Sequence, residues 1–563
     1  MAAQDPDEHS DYDYDFGSFH RPISTTSAQA QAWFDRGLIW TYAFNHEEAA
    51  HCFQKAIAHD ANCAMAYWGL AYTLGPNYNK PWEAFDEQEL HAVIGRTHHA
   101  VAQAQKCAAS RDRSITPVES ALIDALQARY PQDTATADFC PWNQGYAEAM
   151  ESVYARFPND LEVVTLYADA LMNLTPWALW DLSTGQPAGG ARTEDVKRAL
   201  DAALTRPEAL QHPGLLHLYI HLMEMSHEPE TALRAADHLR GLVPDAGHLN
   251  HMPSHLDILC GDYRRAMASN SDAIRADEKF LARKGPVNFY TLYRSHDYHF
   301  RVYAAMFAGR VDVALETVGR LEESIPEELL RVESPPMADW LEGFVGMKVH
   351  VLVRFGRWEE LLGLGVPGDS RLYCVTAAMV HYGKGVALAA LGRVDEAAEQ
   401  RALLRQSVQR VPESRMIFTN KCVDILAVAE TMLDGELEYR RGNFDAAFEH
   451  LRRSIALDDG LPYDEPWGWM QPTRHAYGAL LLEQGRVQEA ADVYQADLGF
   501  DDTLPRARQH PNNVWALHGY HECLTRLGRA AEARIVKPLL KQALATADVP
   551  VRSSCYCRRG VPK

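Results

Sequence analysis

The sequence predicts an all-α protein, an α-solenoid in which helix-turn-helix units stack into a right-handed superhelix. Three observations predict it. Small residues recur at fixed positions of a 34-residue unit, glycine-containing turns recur between helical stretches, and no useful length of chain alternates apolar and polar residues as a strand does. Because each unit of such an array packs only on its neighbours, a chain of 563 residues need not divide into separate globular domains.

The first unit sets the repeat frame. Its positions 4, 8, 20, 24 and 27 hold Trp33, Gly37, Ala49, Phe53 and Ala56. Small residues at positions 8 and 20 let two helices approach closely, a pattern typical of the tetratricopeptide repeat (TPR). The sequence therefore predicts a TPR-like α-solenoid. The same pairs of small residues return later as Gly385/Ala397, Gly435/Ala447, Gly478/Ala490 and Gly519/Ala531.

The frame also predicts the organisation of the chain. Stretches rich in Pro, Gly and aromatic residues are the expected insertions between units, at 76–92, 131–142, 174–195 and 458–473. We expect a mobile acidic tail over 1–26, a TPR-like superhelix over 27–545 and a second tail over 546–563. Within the superhelix, 212–310 forms the histidine-rich central repeats and 375–545 the C-terminal repeats.

Composition limits the classes of partner. A net charge of -21 argues against nucleic acid and against an anionic membrane surface as the main partner. No stretch approaches the roughly 18 apolar residues of a membrane span, and the N-terminus does not read as a secretory signal. The ten cysteines form no CxxC pair, so we expect reduced thiols in a cytoplasmic protein.

Histidines are concentrated in the segment 212–299. The repeat frame places candidate ligands on one stripe of the first helix of three successive units, and in a TPR solenoid this stripe faces the concave groove. The His217/His251 and His221/His255 pairs are each separated by 34 residues, so we expect each pair to lie side by side. The stripe carries His217, His221, Glu224, His248, His251, His255, His296 and His299.

This set favours a transition-metal site, because imidazole suits copper, iron, zinc and nickel. Six histidines suffice for a dinuclear site with three per ion, and the six nominated are His217, His221, His251, His255, His296 and His299. His248 is a further metal ligand or a neighbour of one, and Glu224 is in addition a candidate catalytic group. Pro253 favours a new helix start, which would leave His248 and His251 on the preceding turn. A peptide- or phosphate-binding groove and plain core packing remain the alternatives.

Other residues on groove positions are weaker candidates. His475 is a candidate catalytic residue. Two tryptophans of the 458–473 insertion, beside two acidic residues, suit a cover over a small apolar substrate, although they equally suit a cap on the stack of repeats. The expected substrate pocket comprises Trp68, Asp169, Trp467, Trp469, Asn513 and Tyr520.

Several stretches carry a resemblance to a known family. They include Gly247-His248-Leu249-Asn250-His251-Met252-Pro253-Ser254-His255, His296-Asp297-Tyr298-His299-Phe300, Ala43-Phe44-Asn45-His46-Glu47, Tyr463-Asp464-Glu465-Pro466 and Asn513-Val514-Trp515. Over most of its length the chain resembles a family of largely uncharacterised TPR-containing proteins from bacteria and fungi that share a GHLxHMPSH motif. The resemblance implies the TPR fold and no particular reaction. Asp297 stands where the family is expected to have Asn.

Three hypotheses of function follow. The first is a metal-dependent enzyme that uses copper or iron and dioxygen to oxidise a small organic molecule. The second is a scaffold whose groove binds a peptide of a partner protein. The third is a zinc-dependent hydrolase at the same histidines. The His and Glu composition of the central stripes favours the enzyme, since grooves that bind peptide carboxylates usually carry Lys, Arg and Asn.

Overall fold

The chain forms an all-α, TPR-like solenoid, which confirms the predicted fold class. The computed structural model describes residues 12–110 and 115–559. Successive helices pack on one another along the chain. Strands within the described residues are limited to two antiparallel pairs, β1 (Trp180–Asp181) with β2 (Gln186–Pro187) and β3 (Met416–Ile417) with β4 (Asn420–Lys421).

The helices fall into three stretches of chain. The N-terminal stretch contains α1 (Ala28–Tyr42), α2 (His46–His59), α3 (Ala64–Leu74), α4 (Glu87–Ala108), α5 (Pro117–Arg129), α6 (Cys140–Arg156), α7 (Leu161–Met172) and α8 (Thr193–Leu204). The central stretch contains α9 (Pro213–Glu224), α10 (Leu233–Leu239), α11 (Gly247–His251), α12 (Pro253–Leu259), α13 (Tyr263–Lys284), α14 (Thr291–Phe307), α15 (Val311–Glu323), α16 (Glu327–Leu330), α17 (Met337–Val345), α18 (Met347–Arg354) and α19 (Trp358–Gly363). The C-terminal stretch contains α20 (Cys374–Leu391), α21 (Val394–Val408), α22 (Cys422–Arg440), α23 (Phe444–Asp459), α24 (Thr473–Glu483), α25 (Val487–Asp497), α26 (Val514–Arg526) and α27 (Ala530–Thr546).

Close packing explains the small residues of the repeat frame. The Phe53 ring lies between α1 and α3, so close that a Cβ added at Gly37 or Gly69 would stand 2.7 or 2.4 Å from it. Tyr494 repeats this arrangement in the C-terminal stretch, where a Cβ at Gly478 or Gly519 would stand 2.5 or 2.4 Å from its ring. One aromatic ring thus fills the space between the first helices of two adjacent units.

The solenoid curls so that its two ends contact its centre. The Trp515 indole donates to the backbone oxygen of Met306 at 2.7 Å, and the Tyr263 hydroxyl donates to that of Pro511 at 3.0 Å. On the N-terminal side, α1 packs against α9. The expected open groove over the central repeats is therefore an enclosed interior.

Both segments expected to be tails pack on the solenoid where the structure describes them. The Tyr12 hydroxyl donates to Glu48 at 2.8 Å, and Arg21 pairs with Asp160 at 2.9 Å. The expectation of a mobile tail is therefore wrong for residues 12–26, while residues 1–11 lie outside the described residues. At the other end, the Ser554 hydroxyl donates to the backbone oxygen of His475 at 2.7 Å.

Two features bear on the expected cellular setting. A disulfide joins Cys555 and Cys557, which corrects the expectation that all ten cysteines are reduced. One helix, α20, is long and apolar enough to cross a membrane, but 78% of that stretch is buried inside the fold. A core helix of this kind passes the same test of length and composition.

The packing of Phe53 predicts the effect of one methyl group. We expect Gly69→Ala to lower the free energy of unfolding by about 1–3 kcal/mol, because the new Cβ overlaps the ring. Gly95→Ala is the matched control, since a Cβ on this glycine of α4 meets no atom within 4 Å; it should be neutral or stabilising by up to about 1 kcal/mol. Thermal unfolding followed by circular dichroism measures both, and equal melting temperatures would contradict this packing.

Candidate metal centre

Three successive first helices bring the predicted histidines together. Helix α9 carries His217 and His221, α11 and α12 carry His248, His251 and His255, and α14 carries His296. A new helix does begin at Pro253, but Met252 keeps helical angles (φ -49°, ψ -40°). The helical path therefore continues from α11 into α12.

The six imidazoles form two groups. A nitrogen from each of His217, His221 and His248 lies within 4.8 Å of the other two, and this set is the first triad. His251, His255 and His296 form the second triad in the same sense. All six are buried, with exposed fractions of 0–1% except for His296 at 6%.

Hydrogen bonds fix the tautomers of the first triad. His217 Nδ1 lies 2.6 Å from the backbone oxygen of Tyr42, and His221 Nδ1 lies 2.9 Å from a carboxylate oxygen of Glu224. Each acceptor requires a proton on Nδ1, which leaves the Nε2 lone pair of the neutral ring free. Neither Nε2 has a hydrogen-bond partner, and neither nitrogen of His248 has one.

The second triad brings two lone pairs face to face. His251 Nδ1 lies 2.7 Å from Asn270 Oδ1, whose amide orientation is set because Nδ2 donates to the backbone oxygen of Ala266. His255 Nδ1 lies 2.7 Å from Glu224. With protons on both Nδ1 atoms, the two Nε2 atoms face each other as acceptors 2.7 Å apart. Such a contact between two acceptors is stable only with a cation or a proton there.

Burial argues against the proton. It lowers the pKa of His251 well below its usual value, and the neighbouring His255 lowers that pKa further. The pKa values of His217, His221, His248 and His296 are also lowered by burial and by other imidazoles of the group. Neutral rings with converging lone pairs are the state in which histidine binds a metal ion.

Carboxyl groups lie on both sides of the triads. Glu224 accepts from His221 and His255 and so joins the two triads, while Glu465 reaches His255 Nδ1 from the loop between α23 and α24. The pKa of each carboxyl is raised to about 8, mainly by burial and, for Glu224, also by the neighbouring Glu465. Asp297 is buried with its Oδ1 3.3 Å from His251 Nδ1, and burial and the neighbouring Asp277 raise its pKa. Sequence analysis did not place Glu465, Asn270 or Asp297 beside these histidines, because a repeat position does not show which side chains of neighbouring helices and loops meet.

Aromatic rings in strained backbone enclose the site. Phe44, Trp177 and Phe418 have φ of 55°, 58° and 47°, a left-handed conformation that bulky residues rarely adopt. Their ring centroids lie 4.6 Å from His217, 5.7 Å from His221 and 4.6 Å from His296, respectively. Strain of about 1–3 kcal/mol per residue persists where the surrounding structure holds it, commonly at functional sites.

The structure groups the predicted ligands differently in two respects. His299 belongs to neither triad; its ring packs on Phe344, and burial, together with the nearby His350, lowers its pKa to about 3. The ring of His217 meets His248, with centroids 4.9 Å apart, and groups with it rather than with His251.

The other predicted site residues lie elsewhere. His475 donates to Asp497 at 2.9 Å and accepts from Arg354 at 2.9 Å, so both of its nitrogens are satisfied in a network apart from the triads. Asp169 accepts from the Tyr72 hydroxyl at 2.5 Å and shares with His217 a void of about 20 Å³, room for about one water molecule.

The remaining pocket candidates have structural roles. Trp68 stacks on Tyr72 in the core, Trp467 donates to Asp458, Trp469 packs on His350, Asn513 caps α26, and the Tyr520 hydroxyl donates to Gln495. Repeat positions show which face of a helix a residue takes. They do not show which faces the insertions and the curled ends cover, and the six residues expected to form one pocket lie apart in the structure.

Comparison with known proteins finds similarity to solved structures and to no family model or curated protein. Among solved structures it is similar to a chain of the structure of Naa15/Naa10 bound to HypK-THB, with 14% identity, a TM-score of 0.20, and coverage of 92% of this chain and 71% of that one. It is also similar to a chain of the Cut9-Hcn1 hetero-tetramer of the APC/C, with 13% identity, a TM-score of 0.29, and coverage of 92% and 86%. The GHLxHMPSH family remains a resemblance.

Asn270 tests how the second triad is oriented. We expect Asn270→Ala to weaken binding of added copper(II) or zinc by about 10–100-fold, because His251 loses the acceptor that fixes its ring. Competition with a chelator measures the change. Asn173→Ala is the control, a buried asparagine that bonds Asp169 and no histidine; an equal loss in this variant would show a general effect of cavity formation.

Proposed function

We propose that the chain binds one or two transition-metal ions in its buried histidine triads, and that the metal-bound protein oxidises a small organic molecule with dioxygen. The first triad would hold one ion and the second triad another. This assignment keeps the six-histidine dinuclear site expected from sequence but replaces His299 with His248.

One observation carries the proposal. Buried nitrogens of His217, His221 and His248 converge without hydrogen-bond partners, and His251 and His255 direct their Nε2 atoms at each other. An unpartnered buried acceptor costs about 1–3 kcal/mol, so a fold that gathers several of them needs a cation to compensate. Core packing alone, the alternative from sequence, gives no reason for this convergence.

The chain's own groups would orient the ligands and exclude water. Tyr42 O, Glu224 and Asn270 hold their histidines with Nε2 directed inward, as the outer partners of metal-ligating histidines commonly do. Phe44 and Phe300 cover the triads with apolar surface; the Phe300 ring stacks on His255 at 5.1 Å. A bound copper or iron ion would supply electron transfer with dioxygen.

Zinc is the second candidate at the same residues. Imidazole suits zinc as well as copper and iron, and Glu224 is a carboxyl group beside the triads that suits a general base. In that case the protein is a hydrolase, and the identity of the metal decides between the two reactions.

A partner-binding scaffold is the alternative that the fold class favours, because helical-repeat solenoids commonly present binding surfaces. One observation favours this alternative: the protein has a cavity of about 370 Å³ whose lining includes Glu47, Lys80, Glu89 and Arg96. Charges of both signs there suit a peptide side chain or terminus. The triads are not available to a peptide, since they are buried.

A double substitution tests the metal proposal. We expect His221→Ala with His255→Ala to remove bound metal while the far-UV circular dichroism stays nearly unchanged, because each triad loses one ligand and the helices keep their packing. Plasma mass spectrometry on protein purified without a histidine tag measures the metal content. The untouched protein should contain about one to two equivalents of copper or iron, three imidazoles suiting one ion.

His299→Ala is the matched control, a buried histidine of α14 outside both triads. It should keep its metal. Loss of metal in this variant alone would contradict the ligand assignment. Stoichiometric zinc in the untouched protein would favour the hydrolase, and no metal even after reconstitution would leave partner binding as the leading function.

A further inference from the structure

We infer that an apolar cavity beside His296 is the substrate site of the proposed centre, and that it takes a small, uncharged aromatic molecule with a hydrogen-bond donor. This inference rests on the proposed function, because it assigns the substrate class of the same site. The sequence did not indicate this cavity, and none of the six residues expected to form the substrate pocket lines it.

The position of the cavity indicates that a substrate would approach the metal centre at the second triad. Its volume is about 400 Å³, and His296 is the one triad residue that lines it. His296 is also the most exposed of the six imidazoles, at 6%, and its Nδ1 has no hydrogen-bond partner. A molecule in the cavity would therefore meet the metal centre through His296 and the space around it.

The walls connect the cavity to both triads. Three aromatic residues of the wall each contact a triad histidine. The ring centroids are 4.6 Å apart for Phe418 and His296, 5.7 Å for Trp177 and His221, and 5.1 Å for Tyr293 and His248. Phe418 and Trp177 are two of the three aromatic residues in left-handed backbone. Backbone strain is thus concentrated where the wall separates the cavity from the histidines.

The walls select flat apolar molecules. Besides Trp177 and Phe418, the rings of Phe289 and Trp340 line the cavity. Aromatic rings pair in offset-stacked or edge-to-face arrangements worth about 0.5–1.5 kcal/mol beyond their buried area. A volume of about 400 Å³ lies near the small end of the usual range for ligand pockets, so the cavity suits a small molecule and not a polymer.

Charges around the cavity disfavour an anion. Lys80 is the cation among the described lining residues, and it pairs with Glu89 while its ammonium lies 4.3 Å from the centre of the Phe85 ring and 4.2 Å from that of Phe289. Glu83, also on the wall, is an exposed acidic residue. The charge of Lys80, the cation described in the wall, is already balanced by Glu89, so a carboxylate ligand would have no free cation to pair with.

An unpartnered oxygen in the cavity wall favours a ligand with a hydrogen-bond donor. Asn79 lines the cavity, and its Oδ1 is buried without a hydrogen-bond partner. A buried acceptor of this kind favours a ligand that donates a hydrogen bond, because leaving it unsatisfied costs free energy. A phenolic hydroxyl or an aromatic amine supplies that donor.

Binding to the metal-free, full-length protein tests the inference separately from the metal. Ligand-observed NMR titrations are made with phenol, toluene and benzoate. We expect phenol and toluene to bind. Benzoate should not bind at the concentration at which phenol saturates the protein. Asn79→Leu should weaken phenol binding about fivefold, the loss of one ordinary hydrogen bond, and leave toluene binding within twofold.

Two matched variants locate the bound ring. Ala84 lines this cavity and Ala92 lines the neighbouring cavity of about 370 Å³. We expect Ala84→Trp to fill the aromatic cavity and weaken phenol binding at least tenfold, while Ala92→Trp leaves it unchanged. The reverse pattern, or benzoate binding as tightly as phenol, would overturn the inference.

The outcomes also separate the two proposals. Phenol binding with the expected variant pattern in a protein that never takes up metal would overturn the proposed function and leave the ligand class of the cavity supported. Metal uptake at the triads without binding of any aromatic probe would overturn the substrate class alone.

Discussion

The central constraint of this structure is that six imidazoles are gathered in its interior with ring nitrogens directed at one another. The rings are almost fully buried, and several of their nitrogens have no hydrogen-bond partner. In the unfolded chain every one of these nitrogens would be hydrated. A cation that binds the folded chain alone would stabilise it by mass action, so binding and folding would be linked.

The enclosure of the site follows from the way the solenoid curls. A straight array of repeats would leave the histidine stripe on an open groove. Here α1 packs on α9, the loop between α23 and α24 brings Glu465 to His255, and Phe44, Trp177 and Phe418 close the remaining sides. These covering groups come from segments far apart in the chain, so the site exists only when the whole solenoid has assembled.

The repeat frame explains which parts of the site could be predicted from the sequence. Positions 2, 5, 9 and 12 of the first helix share one face whatever surrounds them, because helical periodicity is local. His217, His221, His255 and His296 were thus assigned to the right surface. Pairing between neighbouring helices depends on the path of each helix, and His248 rather than His251 groups with His217.

From the sequence alone come the all-α repeat, the small residues that let helices approach, and the histidine-bearing face of the central units, since each depends on spacing within about one repeat. The tertiary structure decided which nitrogens are free, which carboxyl groups approach them, and where the adjoining cavity lies. Tyr42 O and Glu465 meet their histidines across separations of 175 and 210 residues in the chain. Partners so distributed follow no periodicity, because only the packing of the complete solenoid brings them together.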